Sequence, residues 1–445
     1  MKTVAAATLG CKVNRFETER MLDLFEASGF SITSYDSSPD ILILNTCAVT
    51  VQAERQSRQM IYRAIRSDPS GVLIVTGCLA DRDTDKLSRL KGVDYLIGNA
   101  AKEELGALIA EGIEKQKQAR VLVPDVQRAP SLTLPRKRGR EGVGVSIARF
   151  RDRARAILKI QDGCDAGCAF CIVPTVRGPG RSVPADAVIA QAARFAAAGH
   201  AEIVLSGIHL GAYGRDLYDG LSFSRLIERI AAEVAIPRLR ISSIEPMEID
   251  QELIGLLEAG GPLCPHLHIP LQSGDAEILG LMNRHYAPDQ YAALIEELVR
   301  RIPDLCIGAD VMAGFPGETP ERFVNTLRFV RELPLAYLHV FPYSPRPGTR
   351  AEAMRERIPI EVIRRRTEEL RLVGLEKRRA FNARFLGRLM DVILEEPVLG
   401  RPGWARGLTR NNIVVTVPAS PPFPAGPVPV VIETIVGDLV EGTLS

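Results

Sequence analysis

A chain of 445 residues, 46% hydrophobic and 25% charged, has ordinary globular composition, and one core rarely organises more than ~250 to 300 residues, so two or three domains are expected. A net charge of +2 excludes a globally basic or acidic protein. No apolar run approaches the ~18 to 20 residues of a membrane helix, which argues against a membrane protein.

Residues 1 to about 100 alternate short apolar runs with helical stretches: Val4–Leu9 then 15–28, Ile41–Leu44 then 51–67, Val72–Val75 then 83–90, and Tyr95–Ile97. Continuous apolar strands separated by helices predict a parallel sheet covered on both faces. The start, Met1 to Gly10, reads as a buried strand rather than a signal segment, because a helical pattern follows at once. The expectation is therefore a cytoplasmic protein, and in that reducing compartment eight cysteines point to metal or catalysis rather than disulfides.

Residues 118–149 carry Pro124, Pro130, Pro135, Gly139, Gly142 and Gly144 without periodicity and read as a linker. Between Arg128 and Arg155 stand nine Lys/Arg against two acids, including Arg136, Lys137, Arg138 and Arg140. A stripe of this kind attracts a polyanion through counterion release, unless it is a solvated surface.

Alternation restarts at Ala156, with strands predicted at 157–161, 202–206, 238–242, 265–269, 305–311 and 336–341. Helices are predicted at 184–199, 222–234, 250–258, 288–302 and 320–332. Six β/α units make an incomplete barrel with its chemistry at the C-terminal ends of the strands. A charged helix at about 359–383 opens a second basic run, Arg364 to Arg388. Residues 384–445 turn rich in Val, Pro and Gly and read as a small all-β barrel.

Two cysteine sets stand out. Gly163-Cys164-Asp165-Ala166-Gly167-Cys168-Ala169-Phe170-Cys171 places three thiols in a CxxxCxxC loop directly after the first barrel strand. Three thiolates can hold three irons of a 4Fe–4S cluster and leave the fourth iron open to a small chelating molecule. A zinc site would want a fourth Cys or His, and His200 and His209 stand too far along the chain to complete a local one. The second set, Cys11, Cys47 and Cys78, is scattered, yet each residue follows an apolar strand. Singly each reads as a small buried hydrophobe. Three at equivalent strand ends converge on the sheet edge where open α/β folds bind ligands, and read as ligands of a second cluster. Cys264 and Cys306 read as core. His266 and His268 flank Leu267 and share one strand face, in a packing or a catalytic role.

CxxxCxΦC at the top of a partial β/α barrel resembles the radical S-adenosylmethionine enzymes. With the N-terminal three-cysteine domain and the C-terminal barrel, the whole chain resembles the methylthiotransferase family. That resemblance implies an α/β fold: a flavodoxin-like parallel sheet (1–117), a basic linker (118–149), a partial (β/α)6 radical-SAM core (150–383) and a TRAM-like RNA-binding barrel (384–445). It implies that Cys164, Cys168 and Cys171 hold the 4Fe–4S cluster that binds and cleaves S-adenosylmethionine, and that Cys11, Cys47 and Cys78 hold the other. Phe170 would pack near the nucleoside, Ser206 and Gly207 would offer carbonyls to the amino group, and Gly314 would lie by the adenine. Arg177 or Arg181 would meet a carboxylate or phosphate, and Trp404, Arg406, Thr409, Arg410 and Asn412 would face RNA. Thr8-Leu9-Gly10-Cys11-Lys12-Val13-Asn14, Asn45-Thr46-Cys47-Ala48-Val49-Thr50, Ser57-Arg58-Gln59 and Phe341-Pro342-Tyr343-Ser344 look most like the branch that modifies threonylcarbamoyladenosine at position 37 of tRNA. Other branches act on isopentenyladenosine or on an aspartate of a small-subunit ribosomal protein. The resemblance implies an external electron donor such as flavodoxin or ferredoxin and names no sulfur donor. A reading of another class is a non-enzymatic iron–sulfur sensor with an RNA-binding tail.

Overall fold

A computed structural model describes residues 1–128, 147–151, 153–217 and 220–445; the basic run Arg136, Lys137, Arg138 and Arg140 lies outside the described residues. The three-part architecture expected from the sequence is the one observed. The first part is a parallel sheet of β1 (Thr3–Thr8), β2 (Ser31–Ile32), β3 (Ile41–Thr46), β4 (Val72–Gly77), β5 (Tyr95–Ile97) and β6 (Arg120–Leu122), in the order β2-β1-β3-β4-β5-β6. Successive side chains point to opposite faces, so the apolar runs feed two cores. Ile43, Ile74 and Ile97 pack with Met21 and Phe25 of the helix Lys12–Ala27. Leu44, Val75 and Leu96 pack with Ile61 and Ala64 of the helix Val51–Ser67, which Thr50 caps by accepting from Ala53 N.

β6 corrects the linker reading. Residues 120–122 pair with β5 as a sixth strand, but three residues at an edge, two of them exposed, leave no alternation to read. Past the undescribed stretch, Ile147 and Phe150 are buried, and Phe150 N donates to His200 Nε2 at 3.1 Å.

The second part has six parallel strands: β7 (Arg155–Lys159), β10 (Glu202–Ser206), β11 (Arg238–Ile241), β12 (His266–His268), β13 (Cys306–Ala313) and β14 (Tyr337–Pro342). They form two three-stranded sheets, β11-β10-β7 and β12-β13-β14, joined by bridges Leu239–Leu263 and Ser243–His268. β7 and β14 stay unpaired with one another, so the barrel is open on one side. A short hairpin of β8 (Gln161–Asp162) and β9 (Arg181–Ser182) leads into and out of the cysteine loop.

The last part is a closed barrel, β15 (Leu389–Pro397), β16 (Trp404–Thr409), β17 (Val414–Pro418), β18 (Val428–Val436) and β19 (Leu439–Leu444), ordered β15-β16-β17-β19-β18. It docks under the N-terminal ends of the radical-SAM-like strands. Arg238 donates to the carbonyls of Leu408 and Asp391, Arg240 to that of Thr409, and Arg410 to those of Gly261 and Leu263. Arg155 forms a two-pronged pair with Glu395 at 2.7 and 2.8 Å.

Candidate functional site

The sequence turns sharply after β8. Gly163 has φ +73°, and a Cβ there would lie 1.9 Å from the carbonyl of Pro179, so only glycine lets the cysteine loop start against this returning segment. Cys164 N then bonds Gly178 O (3.1 Å), Cys171 N bonds Cys168 O (3.1 Å), and Ala169 is stitched to Met282 O and Ala351 N. The three thiols sit half-buried. Burial pushes the Cys171 thiol up to about 12 and raises Cys168 despite the guanidinium of Arg284. Arg284 Nη1 lies 3.3 Å from Cys168 Sγ and pairs with Glu245. His209 Nδ1 lies 3.6 Å from Cys164 Sγ, its Nε2 2.8 Å from Glu248. The sequence reading set His209 aside as too distant along the chain. The structure overturns that: a parallel neighbour's strand end sits beside the loop however many residues separate them. Against its burial, contact with Cys164 and Glu248 lifts His209 to about 10.

The N-terminal cysteines do end their strands together. Cys11 is the N-cap of the helix Lys12–Ala27 and makes no side-chain cap, so its sulfur lies at the positive end of a helix dipole. Cys47 follows β3 with its N and O both bonded to Ser57 Oγ (3.0 and 2.9 Å). Cys78 follows Gly77, whose φ of +94° and whose virtual Cβ, 2.3 Å from Thr46 O, require glycine where β4 approaches β3. A Cβ on Gly10 would lie 3.0 Å from Cys47 Sγ, which puts the Cys11 turn against Cys47. Burial raises Cys47 and pushes Cys78 up to about 11. Buried thiols of this kind stay protonated in neutral water and ionise when a metal replaces the proton, and all-thiolate sets suit iron–sulfur clusters. Among the described residues, the three ligating atoms that close to within 4.8 Å are those of His268, Asp310 and His339, and neither cysteine set is that tight. Wider spacing fits a cluster better than a single ion.

Ser206 is buried, and its carbonyl already accepts from Ile160 N at 2.9 Å. Gly207 packs on Gln161, whose Oε1 accepts from Ile208 N and His209 N (3.0 and 2.8 Å). Phe170 makes an edge contact with Phe315, beside Gly314. Gly314 lies under Ile363, 2.3 Å from a virtual Cβ, and its N donates to Glu318. Both His266 and His268 contact the hydroxyl of Tyr337 (2.9 and 3.1 Å), and His268 continues to Asp310 at 2.9 Å. Burial drives His266 well down, so it is neutral. Cys264 and Cys306 are fully buried.

Several residues expected to meet RNA are occupied otherwise. Thr409 is buried and bonds Asn411, Asn412 turns the chain at φ 65°, and Arg410 holds the barrel junction. Trp404 lies under Arg401, while Arg406 pairs loosely with Glu396 on the surface. In the second basic run Arg366 is buried against Glu318, and Arg384 and Arg388 turn to Asp304. Arg177 does meet carboxylates, those of Glu17 and Asp162, 160 and 15 residues away. Glu17 and Arg284 left no signal in the sequence, and Asp162 and His209 only their place close after strand ends.

Two family models match, Uncharacterized protein family UPF0004 over residues 3–98 and the Radical SAM superfamily over residues 158–330. The threonylcarbamoyladenosine tRNA methylthiotransferase MtaB of Bacillus subtilis is 37% identical over 89% of this chain and 85% of its own length. Its Aquifex aeolicus namesake is 34% identical over 88% and 93%. The tRNA-2-methylthio-N(6)-dimethylallyladenosine synthase of Moorella thermoacetica is 31% identical over 94% and 92%. Among solved structures, the radical S-adenosylmethionine methyltransferase TsrM of Kitasatospora setae shares the fold, with a TM-score of 0.56 and 17% identity, over 79% of this chain and 77% of that one. The superfamily brings a 4Fe–4S cluster and S-adenosylmethionine. Among the described residues no helix is long and apolar enough to cross a membrane. With these cysteine loops on this fold, and relatives this similar along nearly their whole lengths, the chain belongs to the MtaB-like radical S-adenosylmethionine methylthiotransferases.

Proposed function

We propose that this enzyme converts N6-threonylcarbamoyladenosine at position 37 of tRNA to its 2-methylthio derivative, in the cytoplasm, using two 4Fe–4S clusters. The observation that carries the reading is the pair of three-cysteine sets at strand ends of adjoining domains, each without a fourth protein ligand in its own loop. Cys164, Cys168 and Cys171 would hold the cluster that binds S-adenosylmethionine. That group supplies an electron to the sulfonium. Cys11, Cys47 and Cys78 would hold the second cluster, with which the transferred sulfur is associated.

The chain's own residues do the rest. Arg284 and His209 hydrogen-bond to Cys168 and Cys164 and orient them. Gln161 shapes the Gly207–His209 turn, leaving the Gly207 carbonyl for the amino group. Phe170 and Phe315 give the nucleoside an apolar wall. The open side of the barrel between β7 and β14 would admit a looped-out base, since RNA is read sequence-specifically where it is unpaired. The Bacillus subtilis MtaB, 37% identical against 31% for the Moorella thermoacetica dimethylallyladenosine synthase, supports the threonylcarbamoyl branch. Electrons would come from flavodoxin or ferredoxin.

The test is anaerobic turnover, side by side, on tRNA bearing threonylcarbamoyladenosine, tRNA bearing isopentenyladenosine, and ribosomal small subunits, read by nucleoside and peptide mass spectrometry. Product on the first is expected. Product on the second alone would move the enzyme to the other tRNA branch, and product on ribosomal protein alone would overturn the RNA substrate.

A further inference from the structure

The buried charges between the two cysteine sets do not balance. Arg177, Lys102, Lys159 and, at 3.8 Å, Arg181 converge on Glu17 and Asp162, four cations against two carboxylates. Arg177 is 1% exposed, and Glu17, Lys102 and Asp162 are each at most 6%. An uncompensated buried charge is strongly destabilising, so this site calls for an anion. Sulfur stands close by: Lys102 Nζ donates to Asn99 Oδ1 at 2.8 Å, and the Nδ2 of the same side chain lies 3.7 Å from Cys78 Sγ. A cubane held by three thiolates is net anionic and supplies what the residues lack.

The same guanidinium spans both cysteine sets. Its Nη1 bonds Asp162 Oδ1 at 2.8 Å, which also accepts from Gly163 N, the residue before Cys164. Its Nη2 bonds the side-chain oxygen of Asn14. Asn14 in turn donates to Leu9 O (2.8 Å) and Thr46 O (3.1 Å), the backbone leading into Cys11 and Cys47. The preceding carbonyl, of Val176, accepts from Asn99 Nδ2, which also lies 3.7 Å from Cys78 Sγ. Every cysteine turn of the N-terminal set is therefore reached from Arg177 or its neighbour through a single side chain.

Resting on the two-cluster reading above, we propose that Arg177 is a positioning residue that locks the N-terminal cysteine turns to the barrel's cysteine loop and, with Lys102, supplies counter-charge to the N-terminal cluster. Reduction adds a negative charge to that cluster, so these cations favour its reduced form. Losing one lowers its midpoint potential.

The test uses reconstituted full-length protein in a Cys164→Ala, Cys168→Ala, Cys171→Ala background, where iron reports the N-terminal set alone, with potentiometric titration followed by EPR. R177Q and K102Q should each cut the reduced-to-oxidised ratio at fixed potential about tenfold, which is ~59 mV for one electron. R177K should keep the parent potential. In the otherwise intact enzyme R177K should methylthiolate at least about tenfold more slowly, because an ammonium cannot fork between Asp162 and Asn14. K102Q leaves the Arg177 contacts in place and carries the charge test if R177Q fails to fold. Unchanged potentials in iron-loaded R177Q and K102Q would overturn the counter-charge, and wild-type methylthiolation by R177K would overturn the locking. A background protein that binds no iron would overturn the two-cluster reading itself, and this inference with it.

Discussion

The two cysteine sets are assembled by opposite routes. Cys164, Cys168 and Cys171 lie within eight residues of sequence, and one glycine-led loop brings them together. Cys11, Cys47 and Cys78 meet only because β1, β3 and β4 pair in register, Thr8 opposite Asn45 and Thr46 opposite Gly77. A local loop presents its thiols wherever its ends are anchored. A set spread over three strands exists only when a sheet has folded, so the metal affinity proposed for it would contain the folding energy of a domain.

That contrast is broken or sharpened most strongly at the ligands. Replacing Cys164, Cys168 and Cys171 with Ala should abolish cleavage of S-adenosylmethionine and leave about half of roughly eight irons, the content of two cubanes. Replacing Cys47 or Cys78 should abolish methylthiolation while deoxyadenosine formation stays measurable. If loss of Cys47 in a folded protein also ended cleavage, the two sets would not be separable.

Next comes Ile74→Ala, in a fully buried position of β4. The cavity should cost about 3 kcal/mol, lower the melting temperature, and lower iron at the N-terminal set ahead of iron in the barrel loop. Equal loss from both would show that the loop depends on the sheet as much as the scattered set does.

A smaller effect tests the helix that carries Cys78. Burial raises Asp81 from 3.8 to about 7, and its Oδ1 has no hydrogen-bond partner. The folded state therefore holds a proton that the unfolded chain has already released. Stability is lost as pH rises from about 4 to about 7 and stays low above that. Asp81→Asn keeps the acceptor for Asn99 N and removes the titration. Its melting temperature should exceed wild type by a margin that widens from pH 5 to pH 8, on the order of 2 kcal/mol at the upper end. A margin independent of pH would refute the account.

The same contrast explains what was legible in the sequence. The loop triad could be read from spacing alone. The scattered triad could be read only after the apolar runs had been recognised as strands of one sheet, because strand ends were its sole signal. The partners of Arg177 and His209 were out of reach. Arg177 finds Glu17 160 residues away, and His209 finds Cys164 45 residues away, and no local pattern encodes which side chains a fold brings together. β6 escaped because three edge residues have no period. The C-terminal barrel was legible as a separate module from its Val, Pro and Gly content, but not as a fixture: Arg238, Arg240 and Arg410 show no pairing until the carbonyls of Leu408, Asp391, Thr409, Gly261 and Leu263 are placed.

That docking has a consequence for the order in which the protein can be made. Synthesis runs from the N-terminus, and domains generally fold as they emerge. When residue 383 has left the ribosome, all six proposed cluster ligands and all six barrel strands are already present. Arg238 and Arg240 are then deprived of carbonyl acceptors and Arg155 of Glu395, with the underside of the barrel open to water. Residues 384–445 therefore supply the lid of the vessel after its contents. Emergence of residues 384–445, rather than of the last proposed cluster ligand, Cys171, is the moment at which the radical chamber becomes sealed from below.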